Sequence, residues 1–165
     1  MIFDILREHV FMLGFQVVFT KGVTVKVLVA YWTHTLDGTS QYLNALNYTN
    51  TLCKSSKYNK CKGKVEIKFF KVPGFDKTGP KLVNGSQLGN IYPSYTRVLH
   101  AKYCVSDVRV HIGTSNLVWD YFYTTSGVSL GAYDTTLVSQ LQAIFDADWD
   151  SPYAFPLQNV ESASI

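Results

Sequence analysis

At 165 residues, 47% of them apolar and 16% charged, the chain is long enough to bury a core and too apolar to be a disordered tail. A formal net charge of +3 permits an anionic ligand without identifying one. No run of about 18 uncharged apolar residues occurs, which excludes a membrane-spanning helix in this chain. These values predict one compact domain.

The first half of the chain predicts a sheet with a helix packed on it. Residues 1–21 begin with weak helical periodicity and lead into residues 23–31, whose nearly continuous apolar run indicates a central strand. A helix is expected to begin near Thr39 and to extend to about Asn50. Residues 65–72 alternate between apolar and polar side chains and predict a second strand.

The second half predicts a hairpin between a loop and a helix. Residues 73–93 are rich in glycine and proline and are expected to form one long loop. Residues 99–116 predict two strands around a short turn at 107–109, and residues 128–130 a further short strand. An amphipathic helix is expected over residues 137–150. The fold class is therefore α/β, with a mixed β-sheet flanked by helices.

Cysteines and glycosylation sequons indicate an oxidising compartment. Cys53 and Cys61 bracket a lysine-rich loop and are candidates for a small disulfide. No second pair of Cys or His residues has a spacing suited to zinc, so no metal site is predicted. Cys104 is interpreted as a small buried apolar side chain. Asn47 and Asn84 each begin an N-x-S/T sequon and are glycosylation candidates.

The segment after the predicted loop carries the chemistry. His100 and Lys102 are two residues apart, so on a strand both side chains leave the same face. Such a pair suits a phosphate, because an imidazole can attack phosphorus or protonate a leaving oxygen while an ammonium neutralises the non-bridging oxygens. Asp107, at the strand end or in the turn, is expected to orient the lysine or the imidazole by a hydrogen bond.

The second strand of the hairpin adds uncharged groups. Gly113 permits a close backbone approach, and Ser115 and Asn116 offer hydrogen bonds to phosphate oxygens. A hairpin over these residues is expected to return Asn116 to a place beside His100.

The complete pattern, H-x-K-x4-D followed by G-x-x-N, resembles the signature of the phospholipase D superfamily. Residues 22–32, 121–130 and 137–153 also resemble the C-terminal half of the animal phospholipase-D-like lysosomal 5′→3′ exonucleases. The resemblance implies half of the phospholipase D fold over residues 22–157. Residues 1–21 match poorly, which suggests a truncation or an incorrect splice junction, and residues 158–165 form a tail.

The resemblance also implies a mechanism and a partner. His100 is expected to be one of two catalytic histidines, as nucleophile or as general acid, with Lys102 and Asn116 binding the phosphate and Asp107 orienting its neighbours. The second H-x-K motif is expected from an N-terminal half missing here or from the other copy in a homodimer. No metal or cofactor is needed, because paired lysines and imidazoles replace a divalent ion.

Three functions are compatible with these residues. The first is a 5′→3′ exonuclease acting on single-stranded nucleic acid through a phosphohistidine, in the lumen of the lysosome or endoplasmic reticulum. The second is a phosphatidyl hydrolase or transferase, and the third is a non-catalytic relative. His34, after the first strand, and Trp119 are candidates for the cleft. A nuclease is expected to show aromatic residues interleaved with Lys or Arg at the cleft, whereas a lipid enzyme should show an apolar rim.

Overall fold

The chain folds as an α/β structure whose sheets are flanked by helices, as predicted. The computed structural model describes residues 17–35, 38–55, 61–77, 81–83, 86–88, 92–93, 95–116, 121 and 123–157. The weak helical pattern at the start of the chain lies outside these residues, whereas residues 17–21 are helical. Within the described part, no helix has both the length and the apolar character needed to cross a bilayer.

In chain order the elements are β1 (Thr24–Ala30), α1 (Thr39–Asn47), α2 (Thr49–Lys54), β2 (Lys64–Phe70), β3 (Lys81–Val83), β4 (Ser86–Leu88), β5 (Tyr103–Val105), β6 (Val110–Gly113), β7 (Ser129–Ala132), α3 (Thr135–Trp149) and β8 (Ala154–Pro156). Within the described residues these strands form three sheets, with strand orders β1-β2-β8, β3-β4 and β5-β6-β7.

The first sheet carries the core. β1 and β2 run parallel, and β8 pairs antiparallel with the end of β2. Alternate side chains of β2 point into the core, where Val65 is 3% exposed and Phe69 is fully buried. Leu43 and Leu46 of α1 belong to the same cluster. The second strand predicted over residues 65–72 is therefore present, at Lys64–Phe70.

Polar and covalent links fasten the short helix α2 to β2. The Asn50 side chain donates to the Val65 carbonyl and accepts from the Val65 N–H, both at 2.8 Å. Cys53 and Cys61 form a disulfide with their Cα atoms 5.4 Å apart. Together these contacts hold α2 against the sheet.

Two predictions about the connections were wrong. Residues 73–93 are not one continuous loop, because β3 and β4 form a small antiparallel hairpin within them. The Asn-Gly dipeptide between these strands is a hairpin signal. The helix expected to run from Thr39 to about Asn50 is divided at Tyr48 into α1 and α2. β8 had no counterpart among the predicted elements, since three residues carry too little periodicity to be recognised.

Helix α3 lies behind the third sheet and links it to the first. The Asp134 carboxylate accepts from the Leu137 N–H at 2.7 Å and caps the first turn. Phe145 contacts Tyr103 of β5 edge to face, with ring centroids 6.5 Å apart. At the other end, Lys68 of β2 donates to the Trp149 carbonyl at 2.7 Å. The helix thereby positions the hairpin relative to the buried sheet.

Candidate active site

The hairpin β5–β6 presents the H-x-K residues. Ser106 and Arg109 close its turn, with the Ser106 N–H donating to the Arg109 carbonyl at 2.8 Å and the Arg109 N–H donating to Ser106 Oγ at 3.0 Å. Cys104 pairs with His111 across the strands, and both side chains are exposed. The prediction that Cys104 is buried was therefore wrong. Tyr103, not Cys104, faces α3, because neighbouring strand residues point to opposite faces.

The pairing of the strands extends beyond β5 towards His100. The Gly113 N–H donates to the Lys102 carbonyl at 2.9 Å. Two residues further along each segment lie His100 and Ser115. The structure thus brings Ser115 to the same end of the hairpin as His100 and Lys102, and Asn116 follows directly in the chain.

Ser115 lies against a glycine that sequence reasoning did not single out. A Cβ atom at Gly127 would overlap Ser115 Oγ, so a larger residue there would turn the hydroxyl away. The neighbouring Thr114 side chain accepts from the Val128 N–H at 3.0 Å and ties the two segments together. A glycine just before a predicted strand was the available signal for this close approach.

Lys102 folds back over its own strand. Its ammonium donates to the His100 carbonyl at 2.9 Å, which keeps the charge beside the imidazole. Partial burial, followed by the positive charge of Lys102, lowers the pKa of His100 from its ordinary value of 6.5. Burial also lowers the pKa of Lys102. A neutral imidazole beside a cation is an arrangement that can meet a phosphate.

Asp107 lies at the opposite end of the hairpin. It is exposed in the turn, and the extended segment from Lys102 to Ser106 separates it from the H-x-K residues by about 13 Å at roughly 3.3 Å per residue. Among the described residues, no hydrogen bond joins Asp107 to His100 or Lys102. The structure does not bring the predicted orienting residue to the pair, because an extended strand holds its two ends apart.

The remaining predicted residues are dispersed. His34 is exposed beyond β1, with its ring against Trp32 at 4.6 Å between centroids. Asn47 is half-buried at the end of α1 and accepts a hydrogen bond from Asn50 at 2.9 Å. Trp119 and Asn84 lie outside the described residues. In the part of the chain that is described, no three His, Cys, Asp or Glu side chains form a group able to hold a metal ion.

Known proteins with similar sequences have names that give an activity. Phospholipase D Z of Dictyostelium discoideum is 36% identical over 139 residues, which are 84% of this chain and 27% of that protein. The human 5′-3′ exonuclease PLD3 is 32% identical over 142 residues, 84% of this chain and 25% of that protein. The chain belongs to the phospholipase D superfamily.

This member of the superfamily spans about a quarter of the length of the curated relatives that it matches. No family model matches the chain. Among solved structures it is similar to NucT from Helicobacter pylori, with a TM-score of 0.47 and 19% identity, over 82% of this chain and 68% of that one.

Proposed function

We propose that this chain supplies one of two H-x-K motifs to a phosphodiesterase that acts on single-stranded nucleic acid from its 5′ end. The observation that carries the proposal is the pair His100 and Lys102, in which the ammonium lies at the histidine carbonyl, 2.9 Å away. Ser115, at the same end of the hairpin, and Asn116 add uncharged donors for the phosphate.

The chemistry requires two histidines facing each other across the phosphate. A neutral imidazole nitrogen attacks phosphorus, the bond from phosphorus to the leaving oxygen breaks, and the second imidazole, protonated, gives that oxygen its proton. Water then attacks the phosphohistidine, loses its proton to the second imidazole and releases the first. Lys102 stabilises negative charge on the non-bridging oxygens during both steps.

The lowered pKa of His100 bears on its role. Partial burial and the charge of Lys102 favour the neutral imidazole, and they keep it neutral to a lower pH than an ordinary histidine. This is the form that attacks phosphorus, so the electrostatics support the nucleophile role. Trapping a labelled phosphohistidine in an alkaline quench, and locating it by peptide mapping, would distinguish a nucleophilic His100 from a general acid.

A phospholipid substrate is the second candidate, supported by the activity that the name of the Dictyostelium relative gives for that protein. The exposed apolar side chains Val128 and Leu130 are 77% and 58% exposed, but their positions alternate with Ser129, which pairs with Gly113 of the His100 face. They therefore belong to the opposite face of the sheet and do not form an apolar rim around His100. This arrangement favours nucleic acid.

The second H-x-K motif is proposed to come from a longer polypeptide, of which this chain is the C-terminal part, in preference to a second identical chain. The short span relative to the known relatives supports this choice. We further propose residence in the lumen of the lysosome or endoplasmic reticulum. The disulfide between Cys53 and Cys61 supports this placement, because disulfides persist in oxidising compartments. Glycosylation at Asn47 or Asn84 remains part of this proposal.

The test follows nucleotide release from a 5′-hydroxyl, fluorescent, single-stranded oligonucleotide at about pH 5 with EDTA, alongside light scattering. His100→Ala is compared with His111→Ala, a matched control because His111 is exposed on the same face and lacks a lysine two residues later. EDTA-resistant activity lost only in His100→Ala supports the proposal, and its presence in a dimer assigns the second motif to another copy.

If the chain alone is silent, the same pair of variants is made in the longer protein that carries both motifs. Activity that survives His100→Ala there contradicts the proposal. Release of choline from phosphatidylcholine vesicles, with no cleavage of oligonucleotide, would replace nucleic acid with the lipid substrate.

A further inference from the structure

The turn after β1 carries two aromatic rings on a backbone fixed by hydrogen bonds, with Trp32 half-buried against the core and His34 exposed. The Thr35 N–H donates to the Trp32 carbonyl and the Trp32 N–H donates to Thr35 Oγ1, both at 2.9 Å. Thr35 Oγ1 also donates to the Ala30 carbonyl at 3.3 Å. Trp32 and His34 are thus held edge to face at the carboxyl end of the strand, and His34 is exposed.

A second planar pair lies at the end of β2. The Arg97 guanidinium stacks on the Tyr92 ring, with its central carbon 3.7 Å from the ring centroid. Both side chains pack at Gly74, whose φ of +78° allows the chain to turn after β2. Arg97 Nε is buried and has no hydrogen-bond partner among the described residues.

These two pairs belong to one edge of the sheet. β1 and β2 are adjacent parallel strands, and the Tyr31 N–H donates to the Phe70 carbonyl at 2.8 Å where they end. Their carboxyl ends therefore meet at the same edge, which is where open α/β sheets bind ligands. Arg97 also precedes His100 by three residues, a separation of at most about 11 Å between Cα atoms.

We propose that this edge is a subsite that stacks the bases of a single-stranded nucleic acid whose phosphate lies at His100. We name it the stacking edge and define it by Trp32, His34, Lys71, Tyr92 and Arg97. The inference rests on the proposed action on nucleic acid and adds the residues that hold the bases. Aromatic faces stack on any base, whereas Lys71 and Arg97 attract the backbone phosphates.

The combination of residues points to a nucleic acid in preference to a lipid. Contact with a lipid surface would require contiguous apolar side chains. Here each aromatic ring is paired with a polar group instead, Trp32 with His34 and Tyr92 with Arg97. Lys71 lies over the Phe75 ring at 5.9 Å and borders the same turn as Gly74. Aromatics interleaved with Lys and Arg are the pattern of single-strand binders.

The test measures binding without cleavage, in the His100→Ala background of the chain. A single-stranded oligonucleotide with 2-aminopurine near its 5′ end reports stacking by quenching, and anisotropy gives the Kd. We expect Trp32→Leu and Tyr92→Leu each to weaken binding at least fivefold and to reduce quenching, since one base stack contributes about 1–3 kcal/mol. Tyr92→Phe keeps the ring and should restore binding.

The control is Tyr133→Leu, which removes the equivalent stack of Arg109 on Tyr133 at the turn end of the hairpin. It should leave the Kd within about twofold. Three results would overturn the stacking edge. They are an equal loss of affinity in all variants, unchanged affinity in Trp32→Leu and Tyr92→Leu, and an abasic oligonucleotide that binds as tightly as the normal one. Binding to phosphatidylcholine vesicles lost in the same variants would overturn it in favour of a lipid. The assay measures binding and not turnover. Its result can therefore be interpreted even if His100 proves not to be catalytic.

Discussion

The two main sheets differ in how completely their faces are covered by other parts of the chain. In β1–β2–β8 one face is filled by Phe69, Val65 and the helices that cover them, so its side chains are held by burial. In β5–β6–β7 one face packs on α3, and the other carries the exposed His100 and the half-buried Lys102. The first sheet therefore stabilises the fold, whereas the open face of the second contributes little to stability and is available for chemistry. Substitutions in the two sheets should therefore differ in how strongly they affect stability and binding.

Truncating the centre of the buried sheet should have the largest effect. Phe69→Ala removes a fully buried ring that stacks on Phe155, and it is expected to lower the free energy of unfolding by about 3–5 kcal/mol. Leu130→Ala on β7, where the side chain is 58% exposed, should cost under about 1 kcal/mol. Urea unfolding of both variants measures the difference, and equal losses would contradict the assignment of the core.

Removing the disulfide should have the next largest effect. The double change Cys53→Ser and Cys61→Ser is expected to lower the unfolding free energy by about 2–3 kcal/mol, because the open chain gains entropy in the unfolded state. The exposed, unpaired Cys104 supplies the control, and Cys104→Ser should leave stability unchanged. Thermal melts with and without reductant test this, and insensitivity of the parent chain to reductant would refute it.

Crowding Ser115 should affect the site more than the fold. Gly127→Ala places a methyl group against the Ser115 hydroxyl and should cost about 1 kcal/mol of stability while weakening phosphate binding. Gly131→Ala is the matched control, since its Cβ meets only the flexible end of Arg109. Titration with inorganic phosphate, observed by NMR, compares the two. Unchanged phosphate affinity in Gly127→Ala would show that Ser115 does not contribute to phosphate binding.

Neutralising Lys102 should change the pKa of His100 and should affect stability less than the substitutions described above. In Lys102→Met the positive charge that lowers the pKa of His100 is absent, so this pKa should rise towards 6.5. A larger fraction of the imidazole is then protonated in mildly acidic solution, and less is available to attack phosphorus. Histidine NMR titration, with His100→Ala used for assignment, gives the value. A pKa that stays the same or falls would show that Lys102 does not act on His100.

Much of this arrangement follows from local patterns. Alternation predicted β2, and two apolar segments around a short turn predicted β5 and β6. A nearly continuous apolar run predicted β1 as a central strand, whereas among the described residues it lies at the edge of its sheet. The spacing of two residues placed His100 and Lys102 on one face. The same rule, applied to Cys104, would have placed it on that exposed face too. Its small apolar character suggested burial instead, and that choice was wrong because only contact with α3 determines which face is covered.

The class of chemistry follows from local sequence, because a histidine and a lysine two residues apart on a strand share a face wherever that strand lies. The surroundings of the pair depend instead on the tertiary fold. It separated Asp107 from the pair by the length of a strand, stacked Arg97 on Tyr92 beside Gly74, and fastened α3 to Lys68. Such contacts join segments that are distant in the chain. Their geometry depends on how the sheets and helices pack, which no local pattern of residues records.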